Sequence, residues 1–202
     1  MRRFINSEIA LAMAALVGIL VFASTADADW KVEVIDGVRV AELQGSITPT
    51  DKQVPLAMAY VINSVGGCVK TGFAIADELK VRSNIGIKVY YMNALSVAAT
   101  IAIETNAEPL GDAAVLGFHW TYSLESKGRP LGDEDAQRIM RRVFIGFADR
   151  YGDDKAMELL EAMKTIVDGD QRMSMVLMGV TGKLVVIKDS KLVEDKPTAS
   201  AD

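Results

Sequence analysis

The sequence predicts a single α/β domain built around a parallel sheet. Apolar runs with strand character alternate with segments whose apolar residues recur at helical spacing, and glycine or small residues occupy the turns between them. Consecutive strand–turn–helix units favour parallel β-α-β units, whose ligand sites lie at the carboxyl ends of the strands. The length of 202 residues fits one domain with one core.

A hairpin is predicted at the start of this domain. Between residues 30 and 43, apolar and polar residues alternate on both sides of Asp36-Gly37, a pair typical of a type I′ turn. A longer apolar run at 57–62 follows, and its composition indicates a strand that is buried on both faces.

Two strand–turn–helix units come next. The strand at 57–62 ends near Gly66-Gly67, and apolar residues then recur at helical spacing from 69 to 79. The second unit has a β-rich run at 85–91 and a small, apolar helix at 96–103.

The remaining elements place one histidine at a strand end. A third short strand at 114–118 ends directly before His119. The elements predicted after it are a helix capped by Asp133, a helix at 153–164, an apolar run at 173–180 and a terminal strand at 183–188.

Both ends of the chain are expected to lie outside the domain. Arg2 and Arg3 precede an apolar run at 9–23 and an Ala-x-Ala site at 26–28, the layout of a secretory signal peptide. The run is shorter than the roughly 20 residues that span a bilayer, although an uncleaved anchor is the alternative. Either interpretation places the domain outside the cytoplasm, in the periplasm. The expected organisation is a signal peptide or anchor at 1–28, a domain at 29–193 and a disordered tail at 194–202.

Composition excludes several classes of function. A net charge of −5 argues against a nucleic-acid partner, and a single cysteine, Cys68, excludes an internal disulfide and a Cys/His zinc framework. The sequence has no P-loop, dinucleotide fingerprint or metal-ligand cluster. We therefore expect neither a metal nor a cofactor.

Four residues at the predicted strand ends suit nucleophilic catalysis, which needs a hydroxyl, a base and N–H donors for an oxyanion. Ser96 would open a helix directly after a strand, where the helix dipole favours a developing anion. The N–H groups of Val97 and Gly67 are candidate oxyanion donors, and His119, the only histidine, is the candidate base. Taken alone, a serine among alanines and a histidine after a strand are by default structural residues.

Three segments together resemble one known family, the proteolytic subunit of the Clp protease and its secreted relatives. I-N-S-V-G-G at 62–67 resembles the family's I-N-S-P-G-G oxyanion segment, and A-L-S-V-A-A at 94–99 is similar to its A-A-S-M-G-A nucleophile segment. G-F-H-W at 117–120 lies where the family carries its histidine. The likeness extends over roughly residues 40–124 and identifies the chain as similar to the ClpP/crotonase superfamily.

The resemblance implies repeated β-β-α units followed by late helices, and a ring-like homo-oligomer built through those helices. It also implies a serine-type endopeptidase that forms an acyl-enzyme on Ser96, with His119 as general base and an oxyanion hole at Gly67 and Val97. An exported copy would have no ATP-driven unfoldase beside it, so its expected substrates are unfolded or short peptides.

The chain departs from the family pattern in two places. The link from Gly45 to Asn63 is short and leaves little room for the first crossover helix of the family. Leu95 replaces a small residue directly before the serine, and Asn93 replaces a glycine.

The third catalytic acid stays open at this stage. Asp168 and Asp170 both lie in the right region, and Asp168 is favoured, although both residues are also typical of a turn. A dyad without an acid is a further possibility, because other groups can orient an imidazole.

Two rival functions remain. One is a catalytically inactive ClpP-like assembly or binding module. The other is the crotonase branch, which acts on acyl thioesters; export argues against it because coenzyme A substrates are cytoplasmic.

Overall fold

A computed structural model describes residues 29–51, 53–122 and 126–193. Within those ranges the chain forms a mixed α/β domain with a nine-stranded sheet and four helices. The predicted signal segment at 1–28 and the predicted tail at 194–202 lie outside the described residues. The strands are β1 Asp29–Ile35, β2 Val38–Ile47, β3 Ala59–Gly67, β4 Lys88–Leu95, β5 Glu108–Pro109, β6 Val115–Phe118, β7 Met175–Gly179, β8 Leu184–Lys188 and β9 Lys191–Leu192, and the helices are α1 Val69–Asn84, α2 Val97–Glu104, α3 Glu134–Tyr151 and α4 Asp153–Lys164.

The sheet is mixed, with a parallel centre and antiparallel edges. The strand order is β1-β2-β3-β4-β6-β7-β8-β9, and β5 pairs with β4 beside this path. Strands β2, β3, β4 and β6 run parallel, whereas β1 and the three strands after β6 pair antiparallel with their neighbours. The expected parallel sheet is therefore limited to the centre.

The first hairpin forms as the sequence predicts. Asp36 and Gly37 have φ angles of 50° and 80°, the two positive values that a type I′ turn requires. Strands β1 and β2 then pair in register from Asp29 opposite Gln44 to Ile35 opposite Val38.

The short link between β2 and β3 makes a parallel connection without a helix among its described residues. Side chains hold this link in place of helix packing. The Tyr60 hydroxyl and the Arg82 guanidinium both donate to the carbonyl oxygen of Pro55, at 2.8 and 2.6 Å. A loop held by these hydrogen bonds thus takes the place of the first crossover helix, for which the sequence leaves little room.

Helix α2 is the centre of the core. Its residues from Val97 to Ile103 are all buried, as expected for a helix that is apolar on every side. Helix α1 approaches it closely at Gly72, where an added Cβ would lie 2.4 Å from a Val97 methyl group. This close packing fixes the start of α2 against α1.

The late helices follow the predicted boundaries. The Asp133 carboxylate caps α3 by accepting from the N–H of Ala136 at 2.7 Å. Gly152, with φ of 89°, separates α3 from α4. No helix in the described ranges has the length and apolar character of a membrane span.

Sheet register brings three strand ends to one edge. Ser64 of β3 lies opposite Ala94 of β4, and Leu95 of β4 lies opposite Gly117 of β6. The residues that follow each of these strands are consequently neighbours, and they surround a pocket.

Candidate active site

The pocket at the carboxyl ends of β3, β4 and β6 has a volume of about 580 Å³. Four of the five residues that the sequence singles out line it: Gly67, Ser96, Val97 and His119. Parallel strand ends are where α/β folds place their ligand sites. Asp168, the fifth residue, is not part of the lining.

Ser96 lies on a sharp, strained turn between β4 and α2. Its φ and ψ angles are 57° and −130°, a conformation that non-glycine residues rarely adopt. The N–H of Ser96 donates to the carbonyl oxygen of Gly117 at 2.8 Å and anchors the turn to β6. A serine on a strained strand-to-helix turn is the arrangement by which α/β hydrolases expose a nucleophilic hydroxyl.

Gly66 packs directly against this serine. A Cβ added at Gly66 would lie 2.5 Å from Ser96 Cβ and 2.6 Å from the carbonyl oxygen of Leu95, and its φ is 85°. Only glycine fits this position without displacing the serine turn. Sequence reasoning gave the functional part to Gly67 and missed Gly66, because two adjacent glycines look alike until the backbone path is known.

Gly67 and Val97 both line the pocket that contains Ser96. Gly67 has φ of 136°, and its missing Cβ would meet the carbonyl oxygen of Ile47 at 2.3 Å, so the approach of β2 alone explains glycine there. Val97 is the first residue of α2, where N–H groups have no partner within the helix. The assignment of the two N–H groups to an oxyanion hole stays a prediction.

His119 is oriented by the backbone. Its Nδ1 lies 2.8 Å from the carbonyl oxygen of Trp120, and a carbonyl can only accept, so Nδ1 carries the proton. Nε2 is then the unprotonated nitrogen. Burial lowers the pKa of His119 below its usual 6.5, while the Trp120 carbonyl acts in the opposite direction. The imidazole is therefore neutral near pH 7 and suited to accept a proton at Nε2.

Ser96 and His119 share the pocket without touching through a hydrogen bond. Among the described residues, the hydrogen bond of the imidazole is the one to Trp120, and none joins it to Ser96 Oγ. Catalytic hydrogen bonds are often long in a ligand-free enzyme and shorten when substrate binds. Ser96 and His119 therefore line the same pocket and have complementary chemistry, but no hydrogen bond joins them among the described residues.

The structure does not bring Asp168 to His119, which corrects the placement expected from the sequence. The Asp168 carboxylate pairs with Lys188 Nζ, is 74% exposed, and has its pKa lowered by that partner. Asp170 likewise pairs with Arg172, which lowers its pKa to about 2. Each carboxylate is paired with a cation, and among the described residues neither forms a hydrogen bond with the imidazole.

Gln171, which sequence reasoning missed, supports the backbone next to His119. It is buried, its Oε1 accepts from the N–H of Trp120 at 3.0 Å, and its Nε2 donates to the carbonyls of Ile166 and Gly169. The Trp120 indole N–H donates to the carbonyl of Met163 at 2.7 Å. A polar residue three positions after Asp168, in the same polar turn, was the available signal, but a catalytic triad calls for a carboxylate there.

Within the part of the chain that the structure describes, no three His, Cys, Asp or Glu side chains come together as metal ligands. The pocket itself contains the hydroxyl of Ser96 and the imidazole of His119.

Comparison with known proteins gives little at the level of sequence. No protein-family model matches the chain, and no curated protein matches it. Among solved structures, a mutant of ClpP1 from Listeria monocytogenes is similar to it, with 18% identity and a TM-score of 0.38 over 86% of this chain and 78% of that chain. A likeness at this level is no basis for assigning a family or an activity to this chain.

Proposed function

We propose that this protein is a serine peptidase of the ClpP-like type, exported from the cytoplasm, that hydrolyses peptide bonds through an acyl-enzyme on Ser96. One observation carries the proposal. A serine held at φ of 57° between β4 and α2 opens into the same pocket as a histidine whose Nδ1 is fixed by a carbonyl oxygen. A structural serine has no need of that strain, which costs on the order of 1–3 kcal/mol.

The proposed reaction follows from these groups. His119 Nε2 takes the proton of Ser96 Oγ as the oxygen attacks the peptide carbonyl, and the N–H groups of Gly67 and Val97 stabilise the oxyanion. The imidazolium then gives its proton to the departing amine, leaving an ester on Ser96. Water, deprotonated by the same histidine, attacks the ester, and the imidazolium returns its proton to Ser96 Oγ as the carboxylic acid is released.

The proposed catalytic unit is a dyad of Ser96 and His119, in which a neutral carbonyl group orients the histidine. The carbonyl of Trp120 selects the useful tautomer of His119, as the acid of a triad does, but it carries no full charge to stabilise the imidazolium. We therefore expect slower acylation than in an enzyme with a complete triad. Gln171 supports this arrangement because it holds the Trp120 backbone from the other side.

The localisation, substrate class and oligomeric state of the protein are also proposed. The residues at 1–28 support export to the periplasm, with an uncleaved anchor as the alternative, and short or unfolded peptides are the proposed substrates. A homo-oligomer built through the late helices is proposed from the family resemblance of the three sequence segments at 62–67, 94–99 and 117–120.

Labelling with a fluorophosphonate tests the proposal, because only an activated serine reacts readily. The full-length wild type is compared with Ser96→Ala, His119→Ala and the control Ser83→Ala, whose serine lies on α1 outside the pocket. Intact mass should show one adduct in wild type and in the control, and none in the other two variants. Folded wild type that gives no adduct would contradict a peptidase.

An inactive ClpP-like assembly or binding module is the second candidate. It is favoured by the missing Ser96–His119 hydrogen bond in the described residues and by the commitment of Asp168 to Lys188. The same experiment separates the two candidates. An oligomeric, folded wild type without an adduct supports the module, and an adduct at Ser96 excludes it.

A further inference from the structure

Strand β1 forms one edge of the sheet and has no strand on its outer side among the described residues. It pairs with β2 alone from Asp29 to Ile35, without a bulge, and six of its seven residues are exposed. Val32 and Val34 are 37% and 70% exposed. A long edge strand with apolar side chains, and without proline or a bulge, is a template for pairing with another strand.

Every second residue of β1 directs its backbone N–H and C=O to the open side of the strand. The carbonyl oxygen of Arg39, which lies opposite Val34, accepts from the N–H of Met58 at 2.8 Å, directly before β3. The backbone groups of Arg39 therefore face away from β1, which leaves those of Val34 on the outer edge. Because this direction alternates along a strand, Val32 and Trp30 also point outward. Strand β1 thus offers three N–H and three C=O groups to a further strand.

The sequence of β1 is complementary to itself when two copies run antiparallel. With Val32 opposite Val32, Lys31 of each copy lies opposite Glu33 of the other. Trp30 of each copy then lies opposite Val34. Opposite charges, and aromatic residues facing β-branched ones, are cross-strand pairs that stabilise a sheet. Two copies of this strand therefore match each other in both charge and shape.

Backbone direction and charge together select this register. Outward-facing residues must lie opposite outward-facing residues, and the nearest slips that satisfy this place Lys31 opposite Lys31 or Glu33 opposite Glu33. Like charges directly opposite are destabilising. In the selected register all seven residues are paired, although Asp29 opposite Ile35 at each end adds no complementarity. The lysine and glutamate occupy the non-hydrogen-bonded pairs, where side chains come closest.

We propose that β1 is a self-association edge, through which two copies of this chain join their sheets antiparallel about a twofold axis at Val32. A twofold contact uses the same patch on both copies, as a self-complementary strand allows. Lys31 and Glu33, whose side chains pair along one strand at 2.7 Å, exchange partners across this interface. No residue of β1 belongs to the pocket lining, so the inference is independent of the proposed peptidase. Because a single strand pair is a small interface, the association should depend on concentration.

Reversal of one charge at a time tests the pairing. Full-length chains that carry a donor or an acceptor fluorophore at the C-terminus are mixed, and energy transfer is measured against concentration. Lys31→Glu leaves two glutamates on each strand, and Glu33→Lys leaves two lysines. Each variant alone should therefore associate about tenfold more weakly than wild type. A mixture of the two variants restores both oppositely charged pairs and should associate like wild type, as should the double variant.

Lys88→Glu is the matched control. Lys88 of β4 is also exposed and pairs with Glu108 at 2.6 Å, but β4 is not a neighbour of β1 in the sheet. This variant should associate like wild type. A contact elsewhere, including one through the late helices, contributes equally to every combination, so the difference between the single variants and their mixture reports on β1.

Val32→Pro tests the backbone pairing separately from the charges. Proline removes the central outward N–H, and edge strands accept proline where the N–H faces solvent. The variant should stay folded by circular dichroism and lose the energy transfer that wild type shows at the same concentration.

Three results would overturn the inference. The first is wild type without concentration-dependent transfer. The second is association that neither Lys31→Glu nor Glu33→Lys weakens. The third is a mixture of these two variants that associates no better than either one alone. The charge series decides by itself if Val32→Pro does not fold.

Discussion

The two sides of His119 are built in different ways. On one side, Gly66 lies at the end of β3 and Ser96 directly follows the neighbouring parallel strand β4, and sheet register together with close backbone contacts fixes where they lie. On the other side, Asp168 lies in the turn between α4 and β7, where its side chain reaches outward to Lys188. Residues placed by strand ends can be located from sequence, whereas the direction of a turn side chain depends on which partner is nearest.

The lowered pKa values of the two aspartates and of His119 have different physical causes. Asp168 and Asp170 have lowered pKa values because cations stabilise their ionised forms at the surface, where solvent screens much of the effect. His119 has a lowered pKa because burial disfavours its ionised form. The imidazole of His119, whose burial favours the neutral form, therefore lies near a turn in which Asp168 and Asp170 are already paired with cations.

The largest expected difference is between His119 and Asp168. His119→Ala should lower the second-order rate of fluorophosphonate labelling about 10³-fold or more, because the serine loses its base. Asp168→Ala should change it less than about twofold, since removal of an exposed ion pair has little effect on structure. Stopped labelling reactions quantified by intact mass give both rates. A large fall in the Asp168 variant would show that the acid reaches the imidazole after all.

Substitution of Gly66 tests whether the position of Ser96 depends on close backbone contact. Gly66→Ala should lower the free energy of unfolding by roughly 3 kcal/mol and abolish the adduct, because the new methyl group meets Ser96 and the φ of 85° is unfavourable for alanine. Urea unfolding measures the first effect.

Gly132→Ala is the matched control, because nothing lies within 4 Å of the added methyl group. This variant should retain wild-type stability and labelling. Equal stability of the two variants would contradict the tight packing at Ser96.

Gln171 tests the support behind His119. Gln171→Leu removes the hydrogen bonds to Trp120, Ile166 and Gly169 inside the protein, and should cost about 2 kcal/mol of stability. Labelling should fall about tenfold as the Trp120 carbonyl loses its position. Gln137→Leu, at an exposed glutamine of α3, is the control and should leave both quantities unchanged. A normal labelling rate in a destabilised Gln171 variant would limit the residue to a structural role.

The smallest effect is expected in the pH dependence. Because the pKa of His119 is lowered in the folded protein, the acid limb of the labelling rate should have its midpoint below 6.5. For the same reason the unfolded chain binds the proton more readily, so stability should decline as the pH falls from 6.5 towards the folded pKa. Since His119 is the only histidine, this decline in stability should be absent from His119→Ala. An acid limb centred above 6.5 would contradict burial as the dominant cause.

Sequence patterns locate most elements because these elements are set by local preferences. The Asp36-Gly37 turn, the cap at Asp133 and the fully apolar helix α2 each follow from a few neighbouring residues. The antiparallel edge formed by β7, β8 and β9 was not predicted as such, because short strands carry no information about the direction of their partners.

The sequence by itself determined that Gly67, Ser96, Val97 and His119 would share one edge, because parallel strands bring their carboxyl ends together. Only the tertiary structure decided what surrounds them. Gln171 meets Trp120 across 51 residues of chain, and Asp168 meets Lys188 across 20. Such contacts depend on packing between distant segments, and no local pattern of residues specifies them.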